Sequence, residues 1–338
     1  MIFFDTTKSG AAGHRSGLTR VNTRLREELA ARATATAWAD AATRATRDDW
    51  FFTTELFSEE ERPGFSGFLA ARPCRLAAVF HDAIPLKHPH ITWPRSVARH
   101  PGYMKLLAQF DRVWAVSGAS REELLGYWRW LGLERLPPVE VLPLGADFNR
   151  APRVTARPAP AAPRLLCVGI LEPRKNQSLL LAACEDLWAA GLTFELHLVG
   201  RVNPQFGRPI AARVRDLQRT RASVLHFHEA ADDAALAALH ATARATVFPT
   251  IAEGCGLPLL ESLWQGVPCV CSDLPVLREN AGAGGCLPVA ANDRAAWREA
   301  LRRLLTDDAF AARLAAEATA RPLPTWRQAA DTVSATLA

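Results

Sequence analysis

Residues 245–261 read ATVFPTIAEGCGLPLLE. The apolar run from Ala245 to Pro249 has the length and composition of a buried strand, and Pro258 suits the first turn of a helix that Gly266 and Pro268 close. Glu253 falls in the loop between them, and Glu261 is expected in the first turn with its carboxylate reaching outward. Gly254 and Gly256 let backbone amides approach a ligand closely. Bare amides beside two carboxylates suit a polyhydroxylated, phosphorylated ligand, one glutamate holding a ribose and the other a sugar ring. The alternative is that both acids offset a helix dipole.

Outward from this stretch, short apolar runs alternate with helix-length Ala- and Leu-rich segments, the pattern of parallel sheets built from strand-helix-strand units. Strands are expected at Ile2–Phe4, Leu76–Phe80, Val113–Val116 and Val139–Leu142. A second set is expected at Leu165–Val168, Glu195–Val199, Val224–Phe227, Ala245–Phe248 and Cys269–Cys271. Between the sets lies a proline- and alanine-rich stretch that continues neither helix nor sheet. The reading is α/β, two Rossmann-like doubly wound domains: residues 1–150, a linker at 151–163, residues 164–320, and a last segment 321–338 whose helix, Trp326–Leu337, packs back on the first domain.

A chain of 338 residues, half of it apolar, is long enough for two cores. No apolar run reaches the length of a membrane span, and the start MIFFDTTKSG lacks the features of a signal peptide, so the expected location is cytoplasmic. Seven cysteines without a CxxC pair suggest neither a disulfide framework nor a zinc site. Net charge is +5, spread without a basic tract, which argues against a nucleic-acid partner. One local excess stands out: Lys87, Arg95, Arg99, Lys105 and Arg112 against Asp111 alone within residues 87–112, with Trp93 and Tyr103 interleaved. It reads as a surface for an anionic membrane at the inner face of the cell, as a patch for an acidic acceptor, or as an ordinary solvated helix face.

Ligands of open parallel sheets bind beyond the carboxyl ends of the strands. After Leu165–Val168 comes GILEPRKNQ, where Arg174 and Lys175 precede a helix and can neutralise a diphosphate; otherwise they form a plain basic loop. After Leu76–Phe80 come His81 and Asp82, a proton carrier or hydroxyl donor with a carboxylate beside it, or a turn element. Gly17 opens a helix after the first strand and offers a second N-terminus.

The segments SGLTRV (16–21), FHDAIPLKHP (80–89), VWAVSGASREEL (113–124), VLPLGAD (141–147), LCVGILEPRKNQSLLL (166–181), LHLVGR (196–201), VFPTIAEGCGLPLLESLWQGVPCVCSDLPVL (247–277) and TWRQAA (325–330) resemble, in order and over nearly the whole chain, the retaining glycosyltransferases of glycosyltransferase family 4, whose fold is known as GT-B. The resemblance implies a nucleotide-sugar donor held mainly by the second domain, a glycan or glycolipid acceptor facing the first across a cleft, and no required metal or other cofactor. It gives the donor diphosphate to Arg174, Lys175 and the Gly17 amide, the ribose to Glu261, and the transferred sugar to Glu253 with the amides of Gly254, Cys255, Gly256 and Leu257. His81, beside Asp82, sits near the anomeric centre, and Gly169 and Arg201 join the substrate-binding set. HRSGLTR lacks the double glycine common in relatives, and Cys255 stands where an aromatic or another small residue is frequent. The HDxIPL element is similar to the mannosyl- and rhamnosyltransferase branch of bacterial surface polysaccharide and lipopolysaccharide synthesis, which favours a GDP-mannose-like donor and a lipid-linked acceptor. Rival readings are a catalytically silent nucleotide-sugar-binding protein and another enzyme of the fold, such as a nucleotide-sugar epimerase.

Overall fold

A computed structural model describes residues 1–9, 17–147, 150–157 and 163–338 of the protein. They form two compact units, Met1–Gly145 with Pro324–Ala338, and Ala146–Leu323. The first contains strands β1 (Ile2–Asp5), β2 (Ala33–Thr36), β3 (Trp50–Thr53), β4 (Arg75–Phe80), β5 (Arg112–Ala115) and β6 (Val139–Val141), in the order β2-β1-β3-β4-β5-β6. The second contains β7 (Arg164–Val168), β8 (Glu195–Val199), β9 (Leu225–His228), β10 (Ala245–Phe248), β11 (Cys269–Ser272) and β12 (Cys286–Val289), in the order β12-β11-β10-β7-β8-β9. All pairings are parallel. Helices cover the sheets, so central strands are buried on both faces, as Phe51, Phe52, Leu165, Leu166 and Val270 are.

Both sheets are doubly wound, as the alternation of strand and helix segments implied. The nine expected strands are present, and three more were not expected. The β2 sequence ATAT is a short edge strand with no apolar run, and β12, CLPV, carries Pro288, which an edge strand tolerates. The third, β3, WFFT, is fully buried and only four residues long, too short to declare a period.

The chain passes between the units at Gly145–Ala146, short of residue 150, and returns at Leu323–Pro324. Residues 150–157 of the proline-rich stretch belong to the second unit. Arg153 donates to the carbonyls of Ala318 and Thr319 at 3.1 and 3.2 Å, near the end of the helix Asp308–Ala320. Arg157 donates to those of His240, Ala241 and Ala243 at 2.7–2.8 Å, at the end of the helix Asp233–Thr242. Helix C-termini leave carbonyls without intrahelical donors, and these arginines supply them. Residues 158–162 of the expected linker lie outside the described residues.

The last helix, Trp326–Leu337, opens with a capping box: Thr325 Oγ1 accepts from Gln328 N, and the Gln328 side chain accepts from Thr325 N. It packs on the helix Gly17–Leu29 of the same unit, with Arg32 and Asp331 paired at 2.7 Å. Gly145 meets its start so closely that an added Cβ would lie 2.2 Å from Trp326 N and 2.5 Å from its ring. We expect Gly145→Ala to destabilise the first unit by about 1–3 kcal/mol through overpacking, read as a lowered urea midpoint, with undiminished stability as the contrary result.

Candidate active site

In the second sheet the winding direction reverses between β7 and β10, which are hydrogen-bonded neighbours. The loops leaving such a pair diverge to opposite faces and open a crevice at the carboxyl ends. After β7, Gly169 (φ +156°) and the bridge of Leu171 to Val202 lead into a short 3-10 turn, Pro173–Lys175. Asn176 then turns left-handed at φ 54° and starts the helix Gln177–Ala189. After β10 the chain runs through Pro249 to Gly256, which caps the helix Leu257–Trp264 at φ +83°.

The two loops are tied through backbone and side chain alike. Ile251 N donates to Arg174 O at 2.9 Å, and Thr250 Oγ1 donates to the same carbonyl at 3.0 Å. Glu253 Oε1 accepts from Lys175 Nζ at 2.5 Å, from Thr250 Oγ1 at 2.8 Å and from Arg174 Nη1 at 3.2 Å. Arg174 also donates to Ala252 O at 3.0 Å and pairs with Glu172, whose other oxygen accepts from Asn203 Nδ2 at 2.9 Å. Lys175 Nζ lies 4.9 Å from the centre of the Phe248 ring. Glu172, Arg174, Lys175 and Glu253 thus form a cluster of two acids and two bases whose formal charges cancel. Burial acts against the Glu253 carboxylate, but Lys175, Arg174 and the hydrogen bonds of Lys175 and Thr250 outweigh it and hold its pKa below the ordinary value. Burial lowers the Lys175 pKa, with Glu253 opposing and Arg174 reinforcing the shift.

The structure therefore brings Arg174, Lys175 and Glu253 together and places Gly254, Cys255, Gly256 and Leu257 beside them on the same loop. Cys255 is buried, its carbonyl accepts from Asn280 Nδ2 at 2.7 Å, and burial pushes its thiol up to about 12, so it is not a nucleophile at neutral pH. Glu261 differs from expectation. Because Gly256 is the cap and Leu257 the first helical residue, Glu261 lies in the second turn, and it is buried instead of reaching outward. Gly169 donates its amide to Val199 O at 2.8 Å, and Arg201, just past β8, is exposed.

His81, Asp82 and Gly17 belong to the first unit. His81 Nε2 lies 2.7 Å from Thr54 O. A carbonyl only accepts, so neutral His81 carries its proton on Nε2 and keeps a lone pair on Nδ1. Burial lowers its pKa and favours this neutral form. Asp82 Oδ1 accepts from Ile84 N at 3.0 Å, a turn contact that does not reach the His81 ring, while Asp82 O faces His100 Nε2 at 2.8 Å. Gly17 is the first residue of its helix, with open space where a Cβ would be. The His14–Ser16 part of its loop lies outside the described residues.

Thr54 is itself held by a cluster that sequence reading missed. Arg62 Nη2 bridges Asp5 at 2.8 Å and Glu55 at 2.6 Å, all three buried. Thr53 Oγ1 donates to Asp5 at 2.7 Å, and Asn22 Nδ2 to Thr54 Oγ1 at 2.8 Å. Lys8 and Ser9 amides donate to Glu55 at 2.8–3.1 Å. These residues lie far apart along the chain and meet because β1 and β3 are adjacent. Glu172, Thr250 and Asn203 were also missed; the TxxE spacing of Thr250 and Glu253 and the acid two places before Arg174 were the available signals.

The basic excess of residues 87–112 is largely compensated in three dimensions. Lys87 pairs with Glu123, Arg99 with Glu60 and Glu61, and Arg112 with Glu140. A linear stretch shows its own charges and hides those that folding places beside them.

Residues 162–307 match the family model described as glycosyl transferases group 1. This segment is a group 1 glycosyltransferase domain. The chain is 30% identical over 217 residues to the serotype-specific mannosyltransferase WbdA of Escherichia coli, an alignment covering 60% of this chain and 26% of that protein. It is 34% identical over 147 residues to O-antigen chain mannosyltransferase B of Escherichia coli, covering 43% and 37%. The aligned region thus spans only 26% and 37% of these two relatives' lengths. Its fold is shared with Anabaena HepE, solved in complex with UDP and glucose, at TM-score 0.72, 15% identity and coverage of 99% of this chain and 98% of that one. The fold is GT-B.

Since the folded-state pKa of Glu253 lies below the ordinary value of 4.5, the stability from its ionised form is whole above that value and is lost as pH falls through the folded pKa. Glu253→Gln is expected to cost about 3–5 kcal/mol at neutral pH, because it leaves Lys175 with a neutral partner in a buried site. Urea melts from pH 7 downward should show that difference shrinking below pH 4.5. A difference independent of pH would contradict the ion pair.

Proposed function

We propose that this group 1 glycosyltransferase domain and the unit preceding it act together as a retaining hexosyltransferase, moving a hexose from a nucleotide-sugar donor to a glycan acceptor. The observation that carries the reading is the meeting of Arg174, Lys175 and Glu253 at the strand reversal between β7 and β10. In this reading a donor diphosphate takes up contacts that Glu253 now makes with the two cations, and the carboxylate turns to sugar hydroxyls. Charge developing on the leaving diphosphate is met by Arg174, Lys175 and the amides of residues 254–257, with no metal required. Glu261 serves the ribose from its buried place in the helix, Gly169, Arg201 and Gly17 line the donor, and His81 offers Nδ1 to a sugar hydroxyl.

The names of the relatives favour mannose as the sugar and a polysaccharide of the O-antigen kind as the product, hence a GDP-mannose-like donor and a lipid-linked acceptor at the inner face of the cytoplasmic membrane. The presence of His81, Lys175 and Glu253 together supports an active enzyme over a silent nucleotide-sugar binder or an epimerase. Incubating the full chain with GDP-, UDP- and dTDP-sugars and a lipid-linked glycan acceptor should release one nucleoside diphosphate in preference, without stimulation by added Mg2+ or Mn2+. Lys175→Ala is expected to lower kcat/KM by about 10²–10³-fold. Unchanged turnover in both Lys175→Ala and Glu253→Gln overturns the site.

Contact with an anionic membrane through residues 87–112 rests on Arg95, Lys105 and Trp93, all exposed, the other cations being paired within the unit. Flotation with vesicles containing anionic lipid should carry the protein, and Lys105→Glu should weaken capture, by an amount that falls as salt rises. Equal capture by neutral vesicles, or none by either, removes this element.

A further inference from the structure

Among the described residues, a group of carboxylate and imidazole side chains with metal-binding chemistry lies on β8 and β9. Their sequences ELHLV and LHFH contain Glu195-x-His197 and His226-x-His228. Along a strand, residues two apart share a face. The parallel register sets His197 beside His226 and Val199 beside His228. One face of two neighbouring strands thus presents a carboxylate and three imidazoles, while Leu196, Leu198 and Leu225 on the other face enter the hydrophobic core. One donor atom each from Glu195, His197 and His226 lies within 4.8 Å of the others. The His197 and His226 ring centres are 4.5 Å apart, and those of His197 and His228 are 5.2 Å apart.

We propose that Glu195, His197 and His226 form a binding site for one divalent transition-metal ion, zinc or a close analogue, that ties the edge strand β9 to β8. Two imidazoles and a carboxylate match the donor preference of such ions, with water completing the coordination. A tetrahedral zinc ion with bonds of about 2.0–2.1 Å sets its donors roughly 3.4 Å apart, within the spread present here. The surroundings supply the supporting shell. His228 Nε2 lies 3.0 Å from His197 Nδ1, and Arg164 holds Glu195 Oε2 through Nε and Nη2, each at 2.8 Å. His197 Nε2 is 2.9 Å from that same oxygen, so Glu195 Oε1 makes none of these bonds and is left for the ion. With His228 donating to Nδ1, the Nε2 of His197 carries the proton now given to Glu195; metal binding at Nε2 uses the other neutral tautomer, the ring proton moving to Nδ1 and His228 Nε2 becoming its acceptor, with no net proton released. Arg164 competes with the ion for the carboxylate and makes the site weaker than a site without a cation. Glu195 begins its strand, away from the carboxyl ends that carry the sugar chemistry, so the role of the metal is structural and independent of the proposed transfer.

The test uses the full chain, free of a histidine tag and treated with chelator, titrated with Co2+ and then Zn2+. The expected result is one equivalent of Co2+ with visible d–d bands, displaced by Zn2+, and a raised melting temperature. His226→Asn and Glu195→Gln, both half-exposed positions chosen to preserve folding, should each weaken Co2+ binding by more than about 100-fold, and His228→Gln by about 10–100-fold as a positioning residue. Absence of stoichiometric Co2+ binding overturns the proposal, and so does binding of unchanged affinity in His226→Asn.

Discussion

The hydrogen-bonded ion pair of Lys175 and Glu253, closed at 2.5 Å where β7 and β10 part, is the contact that ties the two loops leaving these strands. Taking either charge out of water alone is costly, and the pair lowers that cost only while both loops keep their places. Backbone bonds from Ile251 to Arg174 and the double use of Thr250 hold them there, so the loops are braced before any ligand arrives. A cluster whose formal charges cancel can stay compact, each buried charge having a partner.

The first unit repeats the device with other residues. Its sheet reverses between β1 and β3, and there Asp5, Arg62 and Glu55 make a buried triad that holds residues 53–55. Through the Thr54 carbonyl the triad sets which nitrogen of His81 carries the proton. Each unit thus places buried charge at its own strand reversal, the point where a parallel sheet leaves adjacent loops free to diverge and side chains must bridge them.

Much of this was legible in one dimension. Strand-helix alternation and the punctuation of Pro258, Gly266 and Pro268 are local signals with local physical causes. The helix Trp326–Leu337 lies where its pattern placed it, and Arg174, Lys175 and Glu253 advertised themselves by standing next to strand ends. The short strands β2, β3 and β12 did not, since four residues carry no resolvable period and an edge strand carries no apolar requirement.

By itself the sequence determined the elements and the residue types that end them, because propensity, capping and hydrophobic period act over a few neighbours. Tertiary structure alone decided which charges meet. Glu261 is buried a turn deeper than its spacing implied because Gly256 sets where the helix begins. The basic stretch 87–112 loses much of its excess to Glu60, Glu61, Glu123 and Glu140, and Arg62 joins two acids from different strands. Electrostatic pairing depends on distance in space, and sheet order, not position along the chain, sets that distance.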